Sequence, residues 1–406
     1  MLARTGERFA ISGDTGAPSS FGTKASPRAA AVRANWLSRL VVTDFRSYAR
    51  AEVELDGRPV VLTGENGAGK TNLLEAVSLL SPGRGLRGAA YAEIARDGGA
   101  GGWAVAATIE TPEGPVRIGT GIAPGAEAAR SRAVRIDGAN ASGAGALGAH
   151  LRVVWLTPAM DRLFVEGAGE RRRFLDRLVM GFDPAHGTRV NAYERVLRER
   201  NRLLADGVMD ESWLGGLEEQ MAEHGVAIAA ARVEALARLR GAIDAASEAH
   251  FPRADIALEG TLEEALAEKP AVDVEDDFIR RLAASRARDA GAGRTLEGPH
   301  RSDLLVRHRA KDREARLCST GEQKALLIGI VLANARLLAA QGRAPLLLLD
   351  EIAAHLDEER RRALFDEIVA LGLQAFMTGT DPMLFAALGS AAQCFDVKRG
   401  AVTQLN

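Results

Sequence analysis

Cysteine is almost absent from this chain, which has only Cys318 and Cys394 among its 406 residues. Two distant cysteines form neither a disulfide framework nor a metal-ligand spacing, so a disulfide-free protein is predicted. Aromatic residues make up only 5% of the sequence, which disfavours binding of single-stranded DNA by base stacking. The formal net charge of -2 excludes a globally basic coat for nucleic acid but permits a local basic face.

Long apolar runs are also missing. The longest, residues 325–333, is shorter than the roughly 18 residues needed to span a bilayer, and the N-terminus lacks the apolar region of a signal peptide. These absences predict a cytoplasmic protein without a membrane partner. Residues 1–35 are rich in Gly, Ala, Ser, Thr and Pro, and we interpret them as a disordered leader or a start site assigned too early.

A glycine-rich loop at residues 64–71, with the sequence GENGAGKT, fits the pattern G-x-x-x-x-G-K-[ST]. An apolar stretch precedes it and an amphipathic stretch follows it, as expected for a strand and a helix. Glycines let backbone N–H groups curl around phosphate oxygens, and the helix start adds a favourable dipole. The sequence therefore predicts an ATP site formed by Gly64, Glu65, Asn66, Gly67, Ala68, Gly69, Lys70 and Thr71.

Two carboxylates follow a second apolar stretch, at the end of the sequence LLLLDE. A buried strand would carry Asp350 and Glu351 to the phosphates. Lys70 is then placed for the β- and γ-phosphates, and Thr71 and Asp350 are placed to hold Mg²⁺. Glu351 is predicted to be the catalytic residue, which polarises the attacking water.

A predicted helix start at residues 318–324, CSTGEQK, lies just before this strand and contains a capping-box arrangement. In that position it resembles the signature motif of ABC-type ATPases, here Ser319, Thr320, Gly321, Glu322 and Gln323. In that superfamily the signature of one subunit closes over the ATP on the P-loop of the other, which implies an ATP-dependent homodimer. The residues that resemble the D-loop, which crosses the same interface, are His355, Leu356 and Asp357.

The order of these motifs resembles the ABC superfamily over residues 36–406. It implies an α/β fold, an ABC-type P-loop ATPase head with a mixed sheet, flanking helices, an antiparallel β meander and an inserted helical lobe. The meander is predicted within residues 101–155 from short apolar runs between Gly-rich turns. The predicted division is 36–163 and 295–406 for the two parts of the ATPase lobe, and 164–294 for the helical lobe.

Two absences narrow the branch of the superfamily. Transport ATPases use a Gln between the P-loop and the helical lobe, but the first Gln after the loop here is Gln220, deep in the helical region. They also use a switch His after the D-loop, whereas the last His here is His355. A transporter subunit is therefore disfavoured. An SMC-like chromosome-organising head or another ABC-type DNA-repair ATPase stays as the alternative, although no long coiled coil is predicted.

Several stretches are similar to the RecF recombination-mediator family, namely residues 40–48 (LVVTDFRSY), 157–160 (TPAM), 170–176 (ERRRFLD), 298–303 (GPHRSD) and 319–324 (STGEQK). Ser302 departs from the Asp of the family pattern. The resemblance implies a weak, DNA-stimulated ATPase of recombinational repair. Such proteins dimerise on ATP, bind duplex DNA near single-strand gaps and help to load recombinase together with mediator partners.

The remaining candidates are basic. Arg46 resembles a residue that reaches toward the nucleotide in related ATPases, or else it is a surface arginine at a strand end. His300 either lines the nucleotide or dimer side or braces the turn after Pro299. Contacts to DNA phosphates are predicted for a cluster formed by Arg171, Arg172, Arg173 and Arg177, with a solvated helix face as the alternative.

Overall fold

The computed structural model describes residues 35–126, 131–246 and 250–405. The predicted leader, residues 1–35, lies outside them except for its last residue. The strands are β1 Trp36–Phe45, β2 Tyr48–Glu54, β3 Val60–Thr63, β4 Trp103–Thr111, β5 Gly114–Ile122, β6 Ala133–Ile136, β7 Ala139–Asn140, β8 Val153–Leu156, β9 Ala254–Glu259, β10 Asp303–His308, β11 Arg313–Glu314, β12 Leu346–Leu349, β13 Ala375–Gly379, β14 Gln393–Lys398 and β15 Ala401–Gln404. The α-helices are α1 Lys70–Ser78, α2 Ala168–Phe182, α3 His186–Ala205, α4 Glu211–Ala245, α5 Thr261–Glu268, α6 Ala271–Ala292, α7 Thr320–Ala340 and α8 Glu358–Ala370.

A six-stranded sheet in the order β15-β14-β3-β13-β12-β8 holds both of the predicted apolar strands. Five neighbouring strands are parallel, and β15 joins antiparallel at the edge. All four residues of β3, of β8 and of β12 are buried, because strands covered on both faces need continuous apolar sequence. The carboxyl ends of β3 and β12 therefore open onto the same edge.

A second six-stranded sheet, in the order β2-β1-β4-β5-β6-β7, is antiparallel throughout. Along β4, buried and exposed residues alternate, as expected for a sheet with one packed face. The predicted meander is confirmed for β4 to β7. It is wrong for β8, which pairs with β12 in the parallel sheet.

The predicted helical region contains α2 to α6, and α4 alone spans 35 residues. It also contains one strand, β9, which pairs antiparallel with β10. This pairing crosses the predicted lobe boundary at residue 294. Apolar residues of α2, α4, β9, β10 and α7 share one buried cluster, and Arg33–Asn406 forms a single compact unit by its contacts.

Helix α7 lies in this core. It is the one helix of the described ranges that is long and apolar enough to cross a membrane, but 72% of its most apolar window is buried inside the protein. That burial is typical of a core helix. Both cysteines are free, with Cys318 buried directly before α7.

Candidate nucleotide-binding site

The loop 64–71 connects β3 to α1, and its conformation depends on glycine. Gly69 is the residue before α1, with φ of 114°. A Cβ at Gly69 would lie 2.7 Å from the Tyr48 hydroxyl, and a Cβ at Gly64 would lie 2.2 Å from the Val397 carbonyl oxygen. The buried Tyr48 hydroxyl donates to the Gly69 carbonyl at 3.0 Å and fixes the loop against β2. Larger residues at either glycine would therefore displace the loop.

Lys70 is buried at the start of α1, with 4% of its surface exposed. Its ammonium donates to the Gly64 carbonyl at 2.7 Å and to the Glu65 carbonyl at 2.8 Å. Burial lowers the pKa of Lys70, while the charges of Glu351 and Asp350 raise it. The cation is thus held inside the loop and faces the two predicted carboxylates, as the motif requires.

The first of those carboxylates, Asp350, is joined to the loop by a hydroxyl bridge. The Thr71 hydroxyl donates to Asp350 Oδ1 at 2.9 Å, and the Thr378 hydroxyl donates to the same oxygen at 2.8 Å. Thr378 Oγ1 also accepts the backbone N–H of Glu351 at 2.9 Å. Lys70, Thr71, Asp350 and Glu351 therefore meet at one sheet edge, as predicted.

Thr378 is not among the residues predicted from the sequence. The only sequence feature that points to it is its place near the end of an apolar stretch, AFMTG, which forms β13. Since β13 lies between β3 and β12 in the sheet, its end falls between the loop 64–71 and the two carboxylates. The hydroxyl of Thr378 consequently positions both acidic residues at once.

The donor set at this edge suits Mg²⁺, which prefers hard oxygen ligands and keeps several waters. Thr71 and Asp350 supply a hydroxyl and a carboxylate whose oxygens lie 2.9 Å apart, and Thr378 orients the same carboxylate. Beside them, Lys70 brings a positive charge for phosphate oxygens. The residues present therefore fit Mg²⁺ together with a nucleotide triphosphate.

Arg46 lies in the turn between β1 and β2, with a positive φ of 51°. Its guanidinium donates to the two carboxylate oxygens of Glu75, at 2.7 and 2.9 Å, and to the Glu93 carbonyl at 2.7 Å. The Glu75 side chain is 1% exposed and also pairs with Arg87. The described contacts thus pair Arg46 with Glu75 on α1 and with the Glu93 carbonyl rather than with the loop 64–71.

The predicted signature opens α7 with a capping box. The backbone N–H of Ser319 donates to Glu322 at 2.8 Å, and the Ser319 hydroxyl accepts the Glu322 N–H at 3.4 Å. The bond from Lys311, then those from Ser319, lower the pKa of Glu322 to about 2. Ser319, Thr320 and Gly321 are exposed, whereas Gln323 is buried and donates to the Cys318 carbonyl. The helix start is therefore rigid and open to a partner.

An ion pair ties this helix to the catalytic edge. Lys324, 7% exposed in its side chain, lies 2.8 Å from Asp161. Asp161 belongs to the short 3-10 helix Pro158–Arg162 directly after β8, the strand beside β12. The ion pair therefore joins α7 to the segment that follows β8.

The predicted D-loop, His355 to Asp357, begins four residues after Glu351. Glu351 has a left-handed backbone, with φ of 55°, and precedes a 3-10 helix, Ile352–His355. Asp357 then caps α8 by accepting the Arg360 N–H at 2.8 Å. His355 and Asp357 are exposed, and Leu356 is buried.

The predicted DNA-binding arginines differ in their surroundings. Arg171 makes two bonds of 2.7 Å to Asp303, and its side chain is only 16% exposed. The Arg177 guanidinium lies 4.0 Å from the ring centre of Trp155, and burial lowers its pKa. We therefore correct the prediction for Arg171 and Arg177, whose cations are engaged inside the protein. Arg173 is exposed, whereas Arg172 is partly buried.

His300 braces a turn. Its Nε2 donates to the Thr295 carbonyl at 3.0 Å, so Nδ1 accepts the Tyr193 hydroxyl at 2.8 Å. Burial lowers the pKa of His300 to about 4, which keeps the ring neutral near pH 7. Of the two roles open from sequence, bracing the turn matches these bonds.

A phosphate loop after β3, two carboxylates at the end of β12 in the same sheet and a capped signature helix together define an ABC-type ATPase head. Comparison with known proteins agrees: the RecF/RecN/SMC N terminal domain family matches residues 36–403. The chain belongs to the RecF family of this group, whose curated members are named DNA replication and repair proteins.

The relative from Rhizobium johnstonii is 59% identical over 368 residues, which cover 90% of this chain and 98% of the relative. The one from Mesorhizobium japonicum is 58% identical, with 90% and 97% covered.

Solved structures share the fold. The structure of the recombination mediator protein RecF with ATP, from the RecFOR pathway, matches with a TM-score of 0.79 at 23% identity. The match covers 93% of this chain and 100% of that chain. The Smc head domain from Pyrococcus furiosus reaches a TM-score of 0.51 at 16% identity, with 92% and 96% covered.

Proposed function

We propose that this chain is an ATP-dependent DNA-binding protein of recombinational repair and replication restart. It dimerises on ATP, binds duplex DNA near single-strand gaps and, with mediator partners, helps to load recombinase. One observation carries the proposal: Lys70, Thr71, Asp350 and Glu351 meet at one sheet edge, while the exposed Ser319 lies on a separate helix start. The names of the relatives support the DNA-repair role.

ATP binding follows from the residues of the loop 64–71. The backbone N–H groups and the start of α1 attract the phosphates. Lys70 leaves the carbonyls of Gly64 and Glu65 and bonds to phosphate oxygens instead. Thr71 and Asp350 would hold Mg²⁺, which would neutralise the charge that develops on the phosphates.

Glu351 is the proposed catalytic residue for ATP hydrolysis. Thr378 fixes its backbone, and its carboxylate lies near Lys70 at the nucleotide edge, where we assign to it the proton of the attacking water. The ATPase is proposed to be weak and stimulated by DNA, since ATP acts as a switch for a clamp. Binding joins two subunits and hydrolysis releases them.

Dimerisation completes the site. Ser319, Thr320 and Gly321 are exposed, and their helix start favours an anion. A second subunit would bring this start to the γ-phosphate, and the exposed D-loop residues His355 and Asp357 would cross the same interface. Each nucleotide would then be bound by both chains.

Sedimentation with and without ATP tests this mechanism. With wild type and Glu351→Gln, we expect an ATP-dependent dimer that persists longer in the variant, because binding is retained and hydrolysis is lost. The dimer should bind gapped duplex DNA more tightly than single-stranded DNA. A protein that stays monomeric at saturating ATP would refute the shared site.

The role of the signature needs a matched pair of variants. Ser319→Arg should spare ATP binding but abolish the dimer and the ATPase, since a bulky cation replaces the exposed cap. Ser212→Arg, at an exposed serine in the first turn of α4, should leave both unchanged. Survival of dimer and ATPase in Ser319→Arg would contradict the assignment.

The alternative is an SMC-like chromosome-organising head, or another ABC-type DNA-repair ATPase. The longest helix of the described residues, α4, has 35 residues and rises about 50 Å, which makes a short arm and not an extended coiled coil. Equal affinity for intact and gapped duplex would favour this alternative.

A further inference from the structure

A cavity of about 160 Å³ lies between α2, α3, α4 and the turn that follows Gly298. It is apart from the nucleotide edge, and its lining combines apolar residues such as Val190, Ile228 and Pro299 with charged ones. Its charged and hydrogen-bonding lining residues are Arg172, Arg173, Asp176, Tyr193, Glu194, Arg232 and His300.

The ionisable groups around the cavity pair with one another, with one exception. Asp176 accepts bonds from Arg232 and His186 at 2.8 Å each. Glu194 lies 3.6 Å from Arg198, and Arg173 pairs with Glu170. The neutral His300 accepts from Tyr193. Asp176, Glu194 and Arg173 therefore each have an opposite charge beside them.

Arg172 is the exception. Its Nη1 donates to the Ser302 carbonyl at 2.6 Å, and it has no carboxylate partner within the described part of the chain. Burial lowers the pKa of Arg172, and the positive charges of Arg232 and Arg301 lower it further; the more distant carboxylates of Asp303 and Asp176 raise it, but the pKa stays below its usual value. Arg301 is exposed next to it. The cavity thus presents a surplus positive charge with N–H groups available to an acceptor.

We infer that Arg172 at this cavity, with Arg301 beside it, binds a phosphate group of the duplex DNA backbone. A guanidinium with unused N–H groups is suited to bonding two phosphate oxygens. A phosphate also relieves the repulsion among Arg172, Arg232 and Arg301. The inference rests on the proposed function and adds to it the place where the DNA backbone is held.

The salt dependence of duplex binding tests this contact. With saturating ATP, the slope of log K against log salt should become shallower by about 0.9 in Arg172→Met, because one phosphate contact is lost. Arg172→Lys keeps the charge and should keep the slope. Arg280→Met, at a 69% exposed arginine on α6, removes the same charge elsewhere and should also keep it.

The outcomes separate the two proposals. If wild type binds no duplex at any salt concentration, the proposed function fails. If wild type binds and Arg172→Met keeps the full slope, only this inference fails. An equal change of slope in Arg280→Met would also overturn it. So would calorimetry in which Arg172→Met abolishes binding of inorganic phosphate while the slope for DNA is kept. Thermal unfolding confirms that each variant is folded.

Discussion

Thr378 gives the most direct test of how the catalytic edge is positioned. Its hydroxyl donates to Asp350 Oδ1 at 2.8 Å and accepts the Glu351 N–H at 2.9 Å. Thr378→Val keeps the shape of the side chain but removes both bonds. Because Thr378 is 1% exposed, water cannot readily replace them.

The expected cost follows from these bonds. A hydrogen bond to a charged group contributes about 1.5–3 kcal/mol, and a buried N–H left without an acceptor costs a similar amount. If half of this loss reaches the transition state, the barrier rises by about 1.5–3 kcal/mol, which lowers kcat by about 10- to 100-fold. KM for ATP should change little, since Lys70 and the loop 64–71 remain intact.

The assay is steady-state ATP hydrolysis with saturating duplex DNA, for wild type, Thr378→Val and Thr378→Ser. The serine variant keeps the hydroxyl and should recover most of kcat. Unfolding in urea shows how much of the change is stability. A Thr378→Val protein with the wild-type kcat would refute the positioning role, as would an equal loss in Thr378→Ser.

Three further predictions concern stability. Burial would raise the pKa of Asp176, but the bond from His186 and the charge of Arg232 outweigh it and lower this pKa from 3.8 to about 2. The stabilisation is therefore present above pH 4 and lost as pH falls. The difference in free energy of unfolding between wild type and Asp176→Asn, measured in urea, should shrink by about 1 kcal/mol from pH 5 to pH 3. A constant difference would contradict this prediction. Ser302, 1% exposed, donates to Glu263 at 2.6 Å. Ser302→Asp, the family residue, should lower the free energy of unfolding by about 3 kcal/mol, and Glu263→Ala should restore most of it, because two buried carboxylates repel; additive losses in the double variant would exclude the pairing. Asn334 is fully buried on α7, and its amide has no partner among the described residues. Asn334→Leu should raise the free energy of unfolding by about 1–3 kcal/mol, and a lower melting temperature would show that the amide is bonded after all.

The nucleotide edge was predictable because its functional residues lie in short contiguous stretches. The loop 64–71 contains the glycines, the lysine and the threonine, and the apolar run before Asp350 predicts a buried strand. Parallel strands end at a common edge, so the meeting of Thr71 with Asp350 follows from the fold class alone. The capping box of Ser319 is likewise local.

Features that depend on tertiary pairing were not predictable. Thr378 acquires its role only because β13 is inserted between β3 and β12. The strand β9 is short and lies among helices, and its pairing with β10 spans more than forty residues of chain. The arginines of 171–177 look alike in sequence, yet Arg171 pairs with Asp303 and Arg177 lies over the ring of Trp155. Only contacts between distant segments distinguish a structural cation from an available one.

Those contacts also give a physical reason for two of the stretches that resemble the RecF family, residues 170–176 and 298–303. Residues 170–176 and 298–303 meet through the pair of Arg171 with Asp303 and the bond of Arg172 to the Ser302 carbonyl. Arg232 adds a third link, because it bonds both Asp176 and the Pro299 carbonyl. The stretches thus fasten the helical region to β10.

The contact between residues 170–176 and 298–303 lies close in the chain to the signature helix and its partner Asp161. Helix α2 begins soon after Asp161, and Asp161 pairs with Lys324 on the signature helix. The signature helix is therefore bonded to the segment after β8 through one ion pair, and α2 is joined to the same segment by the chain itself. The nucleotide edge and the contact between α2 and β10 thus share this segment as a common support.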